Sequence, residues 1–89
     1  MKVDLNKNVK GLNGEDLQDA NMGKIVANSL VAGTKGNAIK FFDWAMKLYN
    51  GQVIDLDKAD QKTLKDFIEN NETLTILFKA QVLEQLENE

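Results

Sequence analysis

The sequence has no cysteine, no histidine and no arginine. Without cysteine there is neither a disulfide framework nor a thiolate zinc site. Without histidine the chain lacks the commonest general base, the commonest metal ligand and the neutral-pH switch. All 11 basic residues are lysines, so the guanidinium fork that reads guanine edges, phosphates and carboxylates in bidentate fashion is missing. A net charge of −3 also denies the chain the basic footprint of a nucleic-acid binder. No nucleic-acid partner is expected.

Long apolar runs are absent too, and no stretch approaches membrane-spanning length. Met1-Lys2-Val3-Asp4-Leu5-Asn6 lacks the apolar centre of a secretory signal. The expectation is a cytoplasmic protein with no membrane partner. Ser29 is the single serine; it falls mid-helix on an apolar face, with no imidazole to activate it. Carboxylates read as helix caps and solvated faces. Neither an enzyme nor a bound cofactor is expected.

What is present is architecture. Eighty-nine residues make a single domain over 1–89, small enough to have a thin stability margin. The chain is organised around Gly36 to Gly51, which carries four of the six aromatic residues. At about 100° per residue, Lys40, Asp43, Lys47 and Asn50 form one narrow polar stripe. The remainder from Ala38 to Tyr49 is apolar over well more than half the circumference, the signature of a helix that others pack around. A central aromatic-rich helix over 37–50 is therefore expected. Phe42, Ala45 and Tyr49 lie near the middle of its widest apolar face, and Phe42→Ala is expected to cost about 3–5 kcal/mol.

Around that helix the pattern gives an N-terminal ribbon and three further helices. Lys2–Asn6 alternates as a short strand, and Asn13-Gly14 between Val9–Leu12 and Glu15–Leu17 is the strongest two-residue hairpin signal. Asp19 or Asn21 caps a first helix whose face is Met22, Ile25, Val26, Ser29 and Leu30, widened by Ala27 and Val31, with Gly33 as its stop. Thr34 or Asn37 caps the central helix, and Asn50-Gly51 ends it. Gln52–Asp57 reads as an extended segment able to add a strand to the ribbon. Asp57 then caps a surface helix over Lys58–Asn70, with a thin seam of Leu64, Phe67 and Ile68 and with Lys62–Asp66 and Lys65–Glu69 on its wet side.

The last helix, from about Leu74 to Leu86, has two apolar seams. Leu74, Leu77, Phe78 and Val82 form one, and Ile76, Ala80 and Leu83 form another on roughly the opposite side. One seam covers the core. The second, spaced i, i+4, i+7 with Lys79, Glu84 and Glu87 as a polar rim, is the candidate interaction surface, unless the ribbon folds over it.

Apparent motifs dissolve on inspection. Asp55-Leu56-Asp57-Lys58-Ala59-Asp60 resembles the start of a calcium loop, but Ala59 and Asp60 stand where an acidic or amide ligand and a glycine are required. Gly33-Thr34-Lys35-Gly36 and Gly23-Lys24-Ile25 lack the phosphate-loop spacing. Asn71-Glu72-Thr73 fits a glycosylation triplet but reads as a turn. Charge is uneven: residues 1–50 sum to +2 and residues 51–89 to −5, a polarity that can steer docking between copies or with a partner.

Taken together, Lys2–Asn6, Gly11-Leu12-Asn13-Gly14-Glu15-Asp16, Gly23–Asn28, Phe42–Gly51 and Leu56–Asp60 give the chain a pattern that resembles small phage- and prophage-encoded proteins of about this size. The resemblance implies a role in virion structure or assembly, with a virion-associated location as the alternative to a purely cytoplasmic one. It transfers no site residues. The reading that follows is an α+β domain, mostly α, with four helices and a short N-terminal β-ribbon. Its expected role is a non-enzymatic interaction or assembly module whose partner is another protein chain or a second copy of itself. A small-ligand-binding domain with a pocket beside Trp44 and Tyr49, and an acidic regulator of a basic partner, are the alternatives.

Overall fold

In the computed structural model, which describes residues 1–87, the chain runs β1 (Lys2–Val3), β2 (Asn8–Lys10), β3 (Asp16–Asn21), α1 (Met22–Ala32), α2 (Ala38–Tyr49), β4 (Ile54–Asp55), α3 (Lys58–Asn70) and α4 (Ile76–Glu87). This is the expected α+β, mostly α, arrangement. The extended segments form two separate antiparallel pairs, β1 with β4 and β2 with β3. The segment before α3 thus pairs with the first strand, as the sequence allowed, but outside the hairpin.

The caps explain the helix boundaries. Asn21, Asn37 and Asp57 each accept a hydrogen bond from the backbone N–H three residues on, satisfying a donor that the first turn leaves orphaned. At the far end of α2, Gly51 takes φ +74°. Its N–H donates to the Leu48 carbonyl and that of Gln52 to the Lys47 carbonyl, the paired bonds of a Schellman stop. The last helix starts two residues later than its seams suggest. The Asn71 side-chain oxygen accepts from the N–H groups of Thr73 and Leu74, and the Thr75 hydroxyl accepts from Phe78. A turn and a cap thereby take residues that periodicity assigns to the helix.

The hairpin is real, but its turn is wider than a two-residue type I′. Lys10 faces Asp16, leaving five residues between them, and only Gly14 in that loop has positive φ. A type I′ turn needs φ > 0 at both central positions, and Asn13 instead uses its side-chain oxygen to hold the Glu15 N–H. A bulge separates the two paired positions, with Asp19 at φ 58°, a conformation that Asp tolerates better than most residues.

One apolar core gathers Val3, Leu5 and Val9 from the extended segments with Val26 and Leu30 of α1, Phe41, Trp44 and Leu48 of α2, Leu64 and Ile68 of α3, and Phe78, Val82 and Leu86 of α4. Phe41 stacks on Trp44 with centroids 5.5 Å apart and meets Phe67 of α3 edge-on at 5.6 Å, so the aromatic cluster joins α2 to α3. No polar or charged residue is buried among those described.

The expectation that α2 is enclosed on most sides is corrected here. It buries one stripe, Phe41, Trp44, Ala45 and Leu48, spaced i, i+3, i+4, i+7. Phe42 and Tyr49 are on the outside, more than half and half exposed respectively. The ring that reaches Phe67 is Phe41, and a helix of this length turns one face to its neighbours. On α1 the buried face is Met22, Gly23, Val26, Ala27 and Leu30, while Val31 is exposed.

Two contacts fix how the helices meet. At Gly23 of α1 a Cβ would lie 2.8 Å from the Leu48 carbonyl oxygen and 3.3 Å from that of Leu5. The N–H of Gly23 donates to Leu5 and that of Met22 to Lys7. Between α2 and α3, Lys40 Nζ is 2.6 Å from Asp60 Oδ1. The Asp60 hydrogen bond raises the Lys40 pKa above its ordinary 10.5, partly offset by burial.

The ribbon is tied to α4 by a side chain. Gln81 accepts from the Lys10 N–H at 2.8 Å and donates to the Lys10 carbonyl at 2.6 Å, and Lys7 reaches Gln85.

Gly23→Ala should destabilise the domain by about 1–3 kcal/mol, the usual cost of overpacking. On an open helix the same change would stabilise by about 1 kcal/mol, so a raised melting temperature would show that the crossing is looser than described. The ion pair gives a pH signature. A group whose folded pKa is raised stabilises fully below its unfolded value and loses that contribution as pH rises through the folded one. The melting-temperature gap between the wild type and Lys40→Met should therefore be constant from neutrality to about pH 10 and close above 10.5.

Candidate functional site

With Phe41, Trp44, Ala45 and Leu48 turned inward, α2 presents a second apolar stripe outward. Ile39 is 85% exposed, Phe42 59%, Met46 51% and Tyr49 50%. Their spacing of three, four and three residues keeps them on one side of the helix over its whole length. Val31 of α1, 54% exposed, extends the stripe sideways, for it and Phe42 line the same shallow hollow with Ala38 and Lys35. At the other end the Lys24 ammonium lies 5.5 Å from the Tyr49 ring centroid, a cation–π distance.

This face is the largest run of large exposed apolar side chains on one element. At roughly 150–250 Å² for a large side chain, these exposures leave on the order of 500 Å² of contiguous surface, near the upper end of what a monomer shows. Its polar border is modest. Asp43 and Lys47 pair with each other at 3.2 Å along the helix, and Lys40 is drawn away to Asp60. Lys24 and Lys35 are the cations left at its two ends.

The C-terminal seam is less than its spacing implied. Ile76 is 85% exposed and Ala80 is exposed, but Leu83 is half-buried and packs against the core. The three residues lie side by side as expected, with one large exposed side chain among them. The ribbon does not cover them. It docks on the flank defined by Gln81 and Gln85. The opposite flank leans on α3, where Lys79 reaches the Glu69 carbonyl and Lys65 approaches Glu87. Leu86, fully buried, belongs to the core-facing seam although the spacing of Leu74, Leu77, Phe78 and Val82 did not include it.

Trp44 and Tyr49 point to different sides of α2, since Trp44 is 5% exposed inside the core while Tyr49 lies outside under Lys24. A cleft of about 840 Å³ lies between the C-terminal end of α1, the α1–α2 connection and the end of α3. Phe41, Phe67, Ile25 and Ser29 line it, with Lys35, Asp66 and Glu72 at its edges. It is an apolar recess with a polar rim, and its hydroxyls come from Ser29, Thr34, Thr63 and Thr73.

The carboxylates of the calcium-like stretch are each engaged in structure. Asp57 caps α3 and Asp60 holds Lys40, while Asp55 sits in β4. Among the described residues no cluster of three acidic side chains is placed to hold a metal ion, and no helix is long and apolar enough to cross a membrane. The acidic half of the chain is partly neutralised, since Asp60, Asp66 and Glu87 all face lysines.

The outer stripe was present in the sequence as part of an apolar surplus on α2, but assigned to the core. The two stripes separate cleanly by substitution. Trp44→Ala should cost about 3–5 kcal/mol, whereas Phe42→Ala should stay within about 1 kcal/mol, as surface changes do. Equal losses in a thermal-melting comparison would place Phe42 in the core after all. Comparisons with protein families, characterised proteins and solved structures found no match to this chain.

Proposed function

We propose that this chain is a non-enzymatic interaction or assembly module that docks on another polypeptide through the outer face of α2. The observation that carries the reading is the row Ile39, Phe42, Met46 and Tyr49, exposed along three turns of a helix whose opposite side is fully packed. Holding such a row in water costs free energy that a partner recovers by covering it. Large apolar patches on small soluble domains mark contact sites, and a rigid helix face is a common way to present one. Ile76, Ala80 and Leu83 form a subsidiary contact of the same kind, with specificity set by Lys79, Glu84 and Glu87.

The residue chemistry supports the non-enzymatic part. No imidazole or thiol exists anywhere in the chain, so the hydroxyls that line the cleft have neither beside them as an activating base. An assembly role, with the phage-like or virion-associated setting that the sequence pattern implies, fits a small domain built to present a surface. A second reading, a small-ligand-binding domain, moves from Trp44 and Tyr49 to the cleft lined by Phe41 and Phe67, where the recess is large enough for a drug-sized molecule.

A photoreactive side chain in place of Ile39 tests the interaction reading in cells that make the protein. A discrete covalent adduct with one polypeptide is expected at Ile39 and none at Lys62, on the exposed side of α3. Equal labelling at the two positions, or none at either, would count against the proposed face.

A further inference from the structure

Resting on that reading, we infer that the partner which covers the face is a second copy of this chain, with the two α2 helices packed antiparallel about a two-fold axis level with Trp44. The first ground is spacing. Ile39, Phe42, Met46 and Tyr49 are separated by three, four and three residues, an order that reads the same in both directions. Turned antiparallel on itself, the row sets Phe42 against Met46 of the second copy and Ile39 against Tyr49. Residues on such an i, i+3, i+7, i+10 stripe are the knobs by which helices interlock, and a two-fold contact requires a patch that complements itself.

The second ground is the content of the layers. In the antiparallel arrangement each layer pairs one aromatic ring with one flexible or branched aliphatic chain, so all four have similar volume. A parallel arrangement would set Phe42 on Phe42 and Tyr49 on Tyr49, alternating with smaller Ile39 and Met46 layers, and uneven layers leave voids. Antiparallel packing also brings the positive N-terminal end of one helix beside the negative C-terminal end of the other.

The third ground is area and charge. About 500 Å² from each copy, with Val31 at the margin, comes to roughly 1,000 Å² in all, the lower bound for a specific association and the range of reversible ones. A head-to-tail contact between the basic first half and the acidic second half is the competing geometry. It is weakened because part of the charge it would use is already paired within the chain: Lys40 with Asp60 and Lys47 with Asp43 on the basic side, and Asp66 and Glu87 with Lys62 and Lys65 on the acidic side.

Sedimentation velocity on the full chain from about 1 µM to 1 mM, the span of weak affinities, is the direct test. The weight-average mass should climb from monomer toward dimer and stop there. Phe42→Glu and Met46→Lys, both on half-exposed positions, should each keep the far-ultraviolet circular dichroism of the wild type and sediment as monomers. Mixing these two variants should restore a heterodimer, because position 42 of one chain faces position 46 of the other. A wild type monomeric throughout the series overturns the inference. So does a dimer indifferent to both substitutions, or a mass that grows without limit, as a head-to-tail contact would give. Rescue by mixing Phe42→Glu with Phe42→Lys instead would establish parallel packing and overturn it as well. If the wild type is monomeric while Ile39 still crosslinks to a different polypeptide, the self-pairing fails and the interaction reading stands.

Discussion

The crossing of α1 over the end of α2 governs the rest of the fold. At Gly23 the two backbones approach so closely that a methyl group would collide with the Leu48 carbonyl. That contact sets the register of the helix pair, and with it the side of α2 that is covered. The same glycine donates its N–H to Leu5 while Met22 donates to Lys7, so the strand segment is drawn into the crossing. A glycine in a helix is costly in isolation. Here it permits the approach that brings the extended segment, α1 and α2 into one core.

Because those described residues bury no polar side chain, uniqueness has to come from elsewhere. A purely apolar core tolerates sliding and repacking, and directional bonds at its edge restrict it. The three amide and carboxylate caps fix where helices begin. The Schellman bonds after Tyr49 fix where α2 stops and turn the chain back toward β4, which pairs with β1 in register Val3 to Ile54. The Lys40–Asp60 bridge then sets α3 against α2, and the Phe41–Phe67 contact fills the space beneath it.

Much of this was legible in the sequence, and the unreadable part has a definite cause. Asn21, Asn37 and Asp57 announce helix starts because few side chains suit a cap, and Asn50-Gly51 announces a stop because few residues accept positive φ. The thin seam of α3 admits a single orientation. On α2, by contrast, Phe41-Trp44-Ala45-Leu48 and Ile39-Phe42-Met46-Tyr49 are both well-formed helical stripes. Periodicity identifies a helix without choosing between them. The choice depends on Phe67 and Gly23, remote in sequence, and the candidate site is the stripe that lost. Gln81 was opaque for a related reason: a glutamine between seams looks solvated until a strand arrives to bond it. The small C-terminal seam was visible as a row, but the lean of Leu83 against the core depends on how α4 sits beside α3.

The Gln81 amide has a consequence for how the chain behaves at high concentration. A two-stranded ribbon ordinarily exposes a free backbone edge, and such an edge recruits strands from other molecules into growing sheets. On β2 the outward N–H and carbonyl of Lys10 are both occupied by one glutamine side chain. The amide mimics the neighbouring strand that would otherwise add there and closes the ladder after a single rung. Sheet extension at that edge is blocked from within the monomer. The pairing of copies proposed for α2 therefore meets no competing strand addition at Lys10.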